Sequence, residues 1–440
     1  EQGKVLGKAM ETATTPPSPP DRIITLDILR GAVLLGILIV NMAGFALPFD
    51  ALNNPLIGGG YLPVDHHAWY LTDLLVSNSM RGIFSMLFGA SLILLTAKLE
   101  QNVGVKAAKT YFFRRNMWLL IFGLFHGYIM LMPGDVLYFY AVTGFLLYYM
   151  RNLKPRTLII LALCIFAGRM AFEAARYFSL RQLIDLAATH GGIYADLLHD
   201  IQQEHLSDPV QIQKEIGAIT QGYGATFRLF APYTFLIQTY GYLTDLVWDV
   251  ASMMLLGMAL YKSGILQGER NRRFYLLLMV ISYFIGVGVN AATLAHLQHH
   301  QFDLISQQLQ LVTFDVSRAA LALGHMSLII LITTTPILPR LKHALAAVGR
   351  MALSNYLMQT LICIFLFYGF GFGLFNSLGR ADLFGVIVAI WAAQLVMSSL
   401  WLQYHQYGPM EWLWRCLTFR EIKPLKKSPS PADESPCIPP

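Results

Sequence analysis

Arg30 and Arg81 each lie within a run of apolar residues, where a guanidinium needs a carboxylate, water or an anionic ligand to accept its forked donors. Arg30 belongs to the segment Arg22-Ile-Ile-Thr-Leu-Asp27-Ile-Leu-Arg30-Gly31. At about 100° per residue, Arg30 and Asn41 project about 300° and about 320° round from Asp27, so the three share one helical face turned toward a bundle interior. Two readings stay open: an Asp27–Arg30 ion pair that fixes the helix to its neighbours, or a ligand site in which Arg30 holds a phosphate or carboxylate. Asn78, Arg81 and Ser85 form one stripe of the next apolar segment, with Arg81 near its middle. A polar cavity lined by Arg81 is the first reading there and a structural ion pair the second. Asp245 and Asp249, one turn apart and without a basic neighbour, are candidate counter-charges for Arg81 or Arg318.

General-base chemistry has its candidates in Asp65-His66-His67, just ahead of the second apolar segment. A histidine beside a carboxylate is held in one tautomer and can deprotonate a hydroxyl or accept an acyl group; two adjacent histidines can also be plain interfacial residues. The third segment ends in His126-Gly127, and the short turn Pro133-Gly134-Asp135 opens the fourth. Asp135 is placed to cap that helix, and also to orient His66 or His67. Arg169, Glu173 and Arg176 have the spacing to pair among themselves. His296, His299 and His300 lack a carboxylate or cysteine at ligand spacing, so no metal site is expected. Arg350, Ser354, Asn355 and Gln359 make a polar stripe that either binds headgroups or bonds between helices, and Asn355 is carried as a ligand-binding candidate.

The elements that must position these groups are membrane helices. Only 13% of the 440 residues are charged, against about 25% in a soluble domain, while 55% are hydrophobic and the mean hydropathy is +0.50. A hydrocarbon core needs about 20 mostly apolar residues per helix. Ten such windows occur, at 26–47, 70–97, 114–132, 135–151, 157–177, 240–262, 273–296, 316–337, 346–373 and 382–405. The first follows the Pro-rich stretch Thr14 to Asp21 without a small-residue cleavage site, and reads as a retained helix.

Of the 32 Lys and Arg residues, 24 fall in alternate gaps assigned to the cytoplasm and 4 in the intervening outer gaps. By the positive-inside rule this gives an all-α, polytopic membrane helix bundle of about 10 transmembrane helices with both termini inside. The same distribution accounts for the net charge of +6 without a nucleic-acid partner. The expected organisation is a disordered cytoplasmic tail over 1–21, a membrane bundle over 22–420 with 178–239 at the outer surface, and a second disordered cytoplasmic tail over 421–440. The four cysteines imply neither a disulfide framework nor a metal site.

Five stretches, taken together and in order, resemble the YeiB family of bacterial membrane proteins, the domain of unknown function 418. They are RIITLDILRGAVLLGILIVN from Arg22, FSMLFGAS from Phe84, GDVLYFYAVTG from Gly134, GRMALSNYLMQ from Gly349 and GPMEWLWRCLTF from Gly408. The resemblance implies a multi-pass protein of the bacterial inner membrane. The Arg…Leu-Asp-x-x-Arg-Gly opening is also similar to that of transmembrane acyltransferases, including the heparan-alpha-glucosaminide acetyltransferase relatives and the glycan-modifying bacterial group. Those are bundles of ten or eleven helices that use a cytoplasmic acyl donor and an outward-facing histidine. The glycan-modifying group has its histidine in the first helix, where this chain has Asn41; the heparan-type group has one ahead of the second helix, comparable to His66 or His67. Asp73 does not match that group's spacing.

The function this implies is transfer of an acyl group from a cytoplasmic donor to an acceptor at the outer face. Arg30 and Arg81 would hold the donor's anionic parts, and His66 or His67, oriented by Asp65 or Asp135, would be the base. Acyl-CoA is the candidate donor substrate, with no permanently bound cofactor. Membrane lipids and a small-molecule, glycan or lipid acceptor are the expected partners, and self-association stays open. A transporter or flippase for an anionic solute or lipid is the competing class, against which the lack of internal repeats weighs mildly. A non-catalytic scaffold or sensor is the third.

Overall fold

The computed structural model describes residues 24–77, 79–205 and 208–427. The expected tail 1–21, most of the tail expected at 421–440, Arg22 and Asn78 lie outside the described residues. The described chain is helical, with one isolated bridge between His405 and Lys426. Residues 421–427 were expected within a disordered tail. Instead the Gln406 amide bonds the Leu425 carbonyl at 2.9 Å and the Lys427 amide bonds the Tyr404 carbonyl at 3.0 Å, folding this stretch back on the end of the preceding membrane helix.

The helices are α1 Ile24–Ala46, α2 Pro63–Leu75, α3 Ser79–Leu124, α4 Val136–Leu147, α5 Pro155–His190, α6 Ile193–His205, α7 Pro209–Gln221, α8 Tyr223–Leu236 and α9 Val247–Lys262. They continue with α10 Arg272–His299, α11 Leu304–Thr333, α12 Pro339–Arg350, α13 Ala352–Phe367, α14 Arg380–Tyr404 and α15 Pro409–Phe419. Among the described residues, seven helical stretches are long and apolar enough to cross a membrane, and the bent pair α12–α13, 85° apart, makes an eighth. The protein is therefore an all-α, polytopic membrane helix bundle.

The ten expected windows reappear once two further features are counted. One stretch runs from Pro63 to Ile129 but is broken at Gly104, whose φ of 77° lies in the left-handed region that glycine enters at little cost. The other is the shorter apolar helix Val136–Met150. The expected outer segment 178–239 is largely helical: α5 continues to His190, α6, α7 and α8 follow, and the helical stretch Tyr223–Lys262 contains a window apolar enough to cross a membrane.

Helix α1 is central, and its buried residues run from Leu26 to Ala46. It meets α12 backbone to backbone: a methyl group at Gly31 would strike the Leu345 carbonyl, and one at Gly349 would strike the Asp27 carbonyl. Small residues at such a crossing let membrane helices gain van der Waals contact where the hydrophobic effect offers nothing. This crossing sets Arg30 and Arg350 beside the same cavity.

Candidate functional site

The first cavity, about 380 Å³, lies where α1, α3, α12, α13 and α15 converge. Its charged lining residues are Arg30, Lys98, Arg115, Arg350 and Arg415 against Asp27 and Glu411. Arg30 is oriented by Asp27 at 3.2 Å and by the Ser91 hydroxyl at 2.8 Å. The Arg115 guanidinium lies 3.4 Å above the Trp414 ring, whose indole N–H donates to the Arg115 carbonyl at 2.8 Å. Glu411 accepts from the Leu353 and Ser354 amides at 2.7 and 3.1 Å, so its negative charge caps the N-terminus of α13. Burial pushes the Glu411 carboxyl above the usual range, while hydrogen bonds from Ser354 and Leu353 pull it back. The rest of the lining is apolar and aromatic, including Phe84, Leu87, Phe88, Leu119, Leu137, Tyr140 and Tyr356. A basic rim over an apolar body suits an anionic head with an acyl chain.

A second cavity, about 370 Å³, lies toward the other end of α1 and is lined by Asn41, Trp69, Thr72, Asp73, Ser77 and Arg380 together with Met132, Pro133 and Gly134. Arg30 and Asn41 are 11 residues apart on α1, about 16 Å along its axis at about 1.5 Å per residue. Arg380 is buried, and its Nε has no hydrogen-bond partner among the described residues.

Between the two cavities sits a fully buried polar cluster. Beyond α3 the helix widens over Phe125–Ile129, where the Met130 amide reaches back five residues to the Phe125 carbonyl. Such widened turns are frequent at functional positions because they re-aim a side chain. His126, on this turn, places Nδ1 2.6 Å from Asp135 Oδ1 and Nε2 2.8 Å from the Thr360 hydroxyl. Asp135 caps α4 by accepting from the Tyr138 amide at 3.1 Å, and Tyr356 donates to it at 3.4 Å. His126 and Asp135 are 0% exposed and Thr360 is 2% exposed. An ionised carboxylate only accepts, so Nδ1 carries the ring proton; in the neutral imidazole Nε2 is then the acceptor for the Thr360 O–H. This is the order of groups that activates a hydroxyl nucleophile in acyl transfer. Tyr356 bridges the cluster and the first cavity, since it lines that cavity while its ring meets His126 edge-on at 5.0 Å.

Asp135 thus caps its helix as expected, but the imidazole it orients is His126, not His66 or His67. Those two are exposed: His67 Nδ1 bonds its own helix at the Pro63 carbonyl, 2.5 Å away, and His66 Nε2 faces Gln298 at 3.2 Å. Asp65 does not orient them either. It accepts from the Leu62 amide at 3.2 Å and the Ala381 amide at 2.9 Å, tying the start of α2 to the start of α14.

Of the residues expected to bind ligand, Asp27 and Arg30 line the basic cavity and Asn41 lines the second. Arg81 lines neither of them; it takes the ion-pair reading, with Asp249 at 3.1 Å. Asp249 also pairs with Arg318, Arg318 with Asp315 at 2.6 Å, and Asp315 with Arg169 at 2.8 Å. Arg169 therefore pairs across helices, reaching Asp245 at 2.6 Å, and of the expected local set Arg176 keeps Glu173 at 3.3 Å. Ser85 bonds the Tyr140 hydroxyl at 2.8 Å. Asn355 is taken up between helices, donating to Ser398 at 2.9 Å and, through its carbonyl, accepting from Gln394 at 2.9 Å. Among the described residues no group of His, Cys, Asp and Glu could hold a metal ion.

Several site residues were missed in the sequence. His126 carried a signal, since an ionisable group within an apolar window is a candidate by default, and Glu411 and Trp414 fall in the stretch GPMEWLWRCLTF, but Arg115 and the neutral Thr360 sit in unremarkable contexts.

The family model of the protein of unknown function DUF418 matches residues 260–421. The chain is 31% identical to the uncharacterized protein YeiB of Escherichia coli (strain K12), over 92% of this chain and 98% of YeiB. It is 28% identical to the uncharacterized protein YxaH of Bacillus subtilis (strain 168), over 92% of this chain and 96% of YxaH. An uncharacterized 39.9 kDa protein of Bacillus acidopullulyticus is 26% identical over 92% of this chain and 96% of its own. No solved structure matches the chain.

Proposed function

Because the chain belongs to the YeiB-like DUF418 family, whose name assigns no reaction, we propose its function from the geometry of the site: acyl transfer across a membrane. A thioester donor such as acyl-CoA enters the basic cavity, and a hydroxyl- or amine-bearing acceptor enters the cavity at the opposite end. The observation that carries this reading is the buried Asp135–His126 pair, hydrogen-bonded at 2.6 Å between two separate cavities. Arg30 and Arg115 hold the donor's phosphates, while the apolar wall that ends at Tyr356 takes the acyl chain. His126 moves the proton that the acceptor must lose, and Asp135 fixes its tautomer and stabilises the imidazolium. We place the protein in the bacterial inner membrane, with the basic cavity facing the cytoplasm where acyl-CoA is made, in keeping with the excess of Lys and Arg at that face.

The test is thioester consumption by purified protein in lipid nanodiscs given acetyl-CoA or palmitoyl-CoA. Turnover that vanishes in His126→Gln and persists in His66→Ala/His67→Ala supports the reading. Absence of both binding and turnover with either thioester removes it. Two cavities at opposite ends of a closed middle also suit a transporter for an anionic solute or lipid. Flux of such a solute into proteoliposomes that survives His126→Gln would favour that class.

A further inference from the structure

We propose that Thr360 is the nucleophile that carries the acyl group between the two cavities, as an ester on its Oγ, so that transfer runs as two half-reactions. The proposal rests on the acyl-transfer reading above and adds a covalent intermediate to it.

Hydroxyls on membrane helices ordinarily turn back to a carbonyl one turn earlier. Thr96 does so to Leu92 at 2.8 Å, Thr293 to Val289 at 2.9 Å and Ser327 to Leu323 at 2.8 Å. Thr360 is built differently. Its hydroxyl bond goes to Nε2 of His126, across from α13 to the widened turn that follows α3, at 2.8 Å. The base it meets is itself fixed by Asp135, and Asp135 by the Tyr138 amide and the Tyr356 hydroxyl. Three groups thus set one imidazole orientation, and the group left facing Nε2 is a hydroxyl. A histidine needed only for packing would be held by one carbonyl accepting its single N–H; a chain of carboxylate, imidazole and hydroxyl is what lowers the barrier to attack by that oxygen.

Position along the helix supports the same role. Thr360 lies one turn beyond Tyr356, which lines the basic cavity, so an acyl chain seated against Tyr356 presents its carbonyl near the cluster. On the other side, Met132, Pro133 and Gly134 line the second cavity and lead directly into Asp135.

In the first half-reaction, Nε2 of His126 takes the Thr360 proton while Oγ bonds to the thioester carbonyl carbon. The carbon–sulfur bond then breaks, and the departing thiolate takes the proton from Nε2. In the second, an acceptor hydroxyl or amine arriving from the opposite cavity gives its proton to Nε2 and bonds to the ester carbon. The carbon–Oγ bond breaks, and Oγ recovers the proton from Nε2. The sum exchanges an acyl group for a proton between donor and acceptor, with no further reactant. Neither the phosphates nor the acceptor crosses the bundle, since the acyl group alone changes sides.

The experiment is acid quench and peptide mass mapping of the full chain, purified in detergent, after incubation with acetyl-CoA or palmitoyl-CoA in the absence of acceptor. One acyl mass is expected on the peptide containing Thr360. It should be labile to alkali, absent in Thr360→Val and His126→Gln, and retained in Thr360→Ser, whose recovery also shows that the site folds. Thioester consumption should fall about 10⁶-fold in Thr360→Val, the scale for losing a nucleophile of this kind. Label on His126 or on another residue overturns the proposal. So does a Thr360→Val protein that consumes thioester at the wild-type rate; with His126→Gln inactive, that result leaves the acyl-transfer reading standing as a direct displacement. A wild-type protein that neither binds nor consumes either thioester removes both.

Discussion

Arg169 of α5 and Arg318 of α11 grip opposite oxygens of one carboxylate, that of Asp315, at 2.8 and 2.6 Å. Arg318 in turn shares Asp249 with Arg81, so α3, α5, α9 and α11 are joined by a ladder of alternating charge. In a medium that solvates ions poorly, such a ladder persists because Asp249, Arg318, Asp315 and Arg169 are each neutralised from two sides.

Removing the Asp249 charge takes the ion-pair partner from Arg81 and leaves Arg318 with one of its two. Asp249→Asn is expected to cost about 3–5 kcal/mol of stability, the range for breaking a buried pair from one side. Arg318 and Asp249 are 2% and 3% exposed at their side chains, so solvent offers little relief. Thermal unfolding in detergent checks this; a change below about 1 kcal/mol would show that the ladder is not a structural tie.

Asp135→Asn keeps the shape of the cluster but lets Nδ1 of His126 accept instead of donate, putting the proton on Nε2. Turnover is expected to fall about 10⁴-fold, as for a histidine base held in the wrong tautomer. Donor binding, measured by palmitoyl-CoA titration, should stay within about twofold. A parallel loss of binding would mean that Asp135 shapes the donor cavity instead.

Arg115→Ala removes the cation that stacks on Trp414 and that the proposed function sets against the donor's phosphates. Palmitoyl-CoA affinity should weaken about tenfold, equivalent to about 1.4 kcal/mol. The dependence of affinity on salt should become shallower, because one fewer cation faces the head group. Equal affinity for wild type and variant in calorimetry would take the donor out of this cavity.

Glu215 of α7 accepts from the Phe49 amide at 3.1 and 3.3 Å. Burial pushes its carboxyl up to about 7 from an ordinary 4.5, the Phe49 hydrogen bond opposes this, and the charge of Asp50 adds to it. A carboxyl whose pKa is higher folded than unfolded stabilises fully below the unfolded value and loses that contribution as pH rises through about 7. The contact between α7 and the segment after α1 should therefore loosen between about pH 4.5 and 7. Hydrogen exchange over Pro209–Gln221 should accelerate more in wild type than in Glu215→Gln across that interval; identical pH responses would exclude Glu215 as the cause.

How far the sequence led can be judged at particular residues. The apolar windows were legible because lipid demands an uninterrupted length of them, and they led to the bundle. Their joints were less so. Gly104 breaks a helix through a backbone angle that its neighbours do not announce, and the bend at Met351 falls inside a window read as one span of 346–373. Asp249 was legible as a counter-charge because it had no local basic partner. His126 was visible as the residue closing the third window, yet its pairing depends on the turn through Leu131, at φ 56°, which brings residue 135 back over residue 126. The histidines beside Asp65 drew attention by adjacency, but that carboxylate is spent on two backbone amides. Arg115 and Trp414 are 299 residues apart in the chain, and nothing local to either announces the other.

The bend between α12 and α13 has a consequence for what the basic cavity can hold. One arm is clamped to α1 through Gly31 and Gly349 and supplies Arg350; the other supplies Tyr356 and Thr360. The arginine arm and the hydroxyl beside His126 are thus the two limbs of a set square whose corner is Met351. In the proposed cycle that corner fixes the distance from a bound head to Thr360, so the angle of 85° sets how far along the donor the attacked carbonyl must lie.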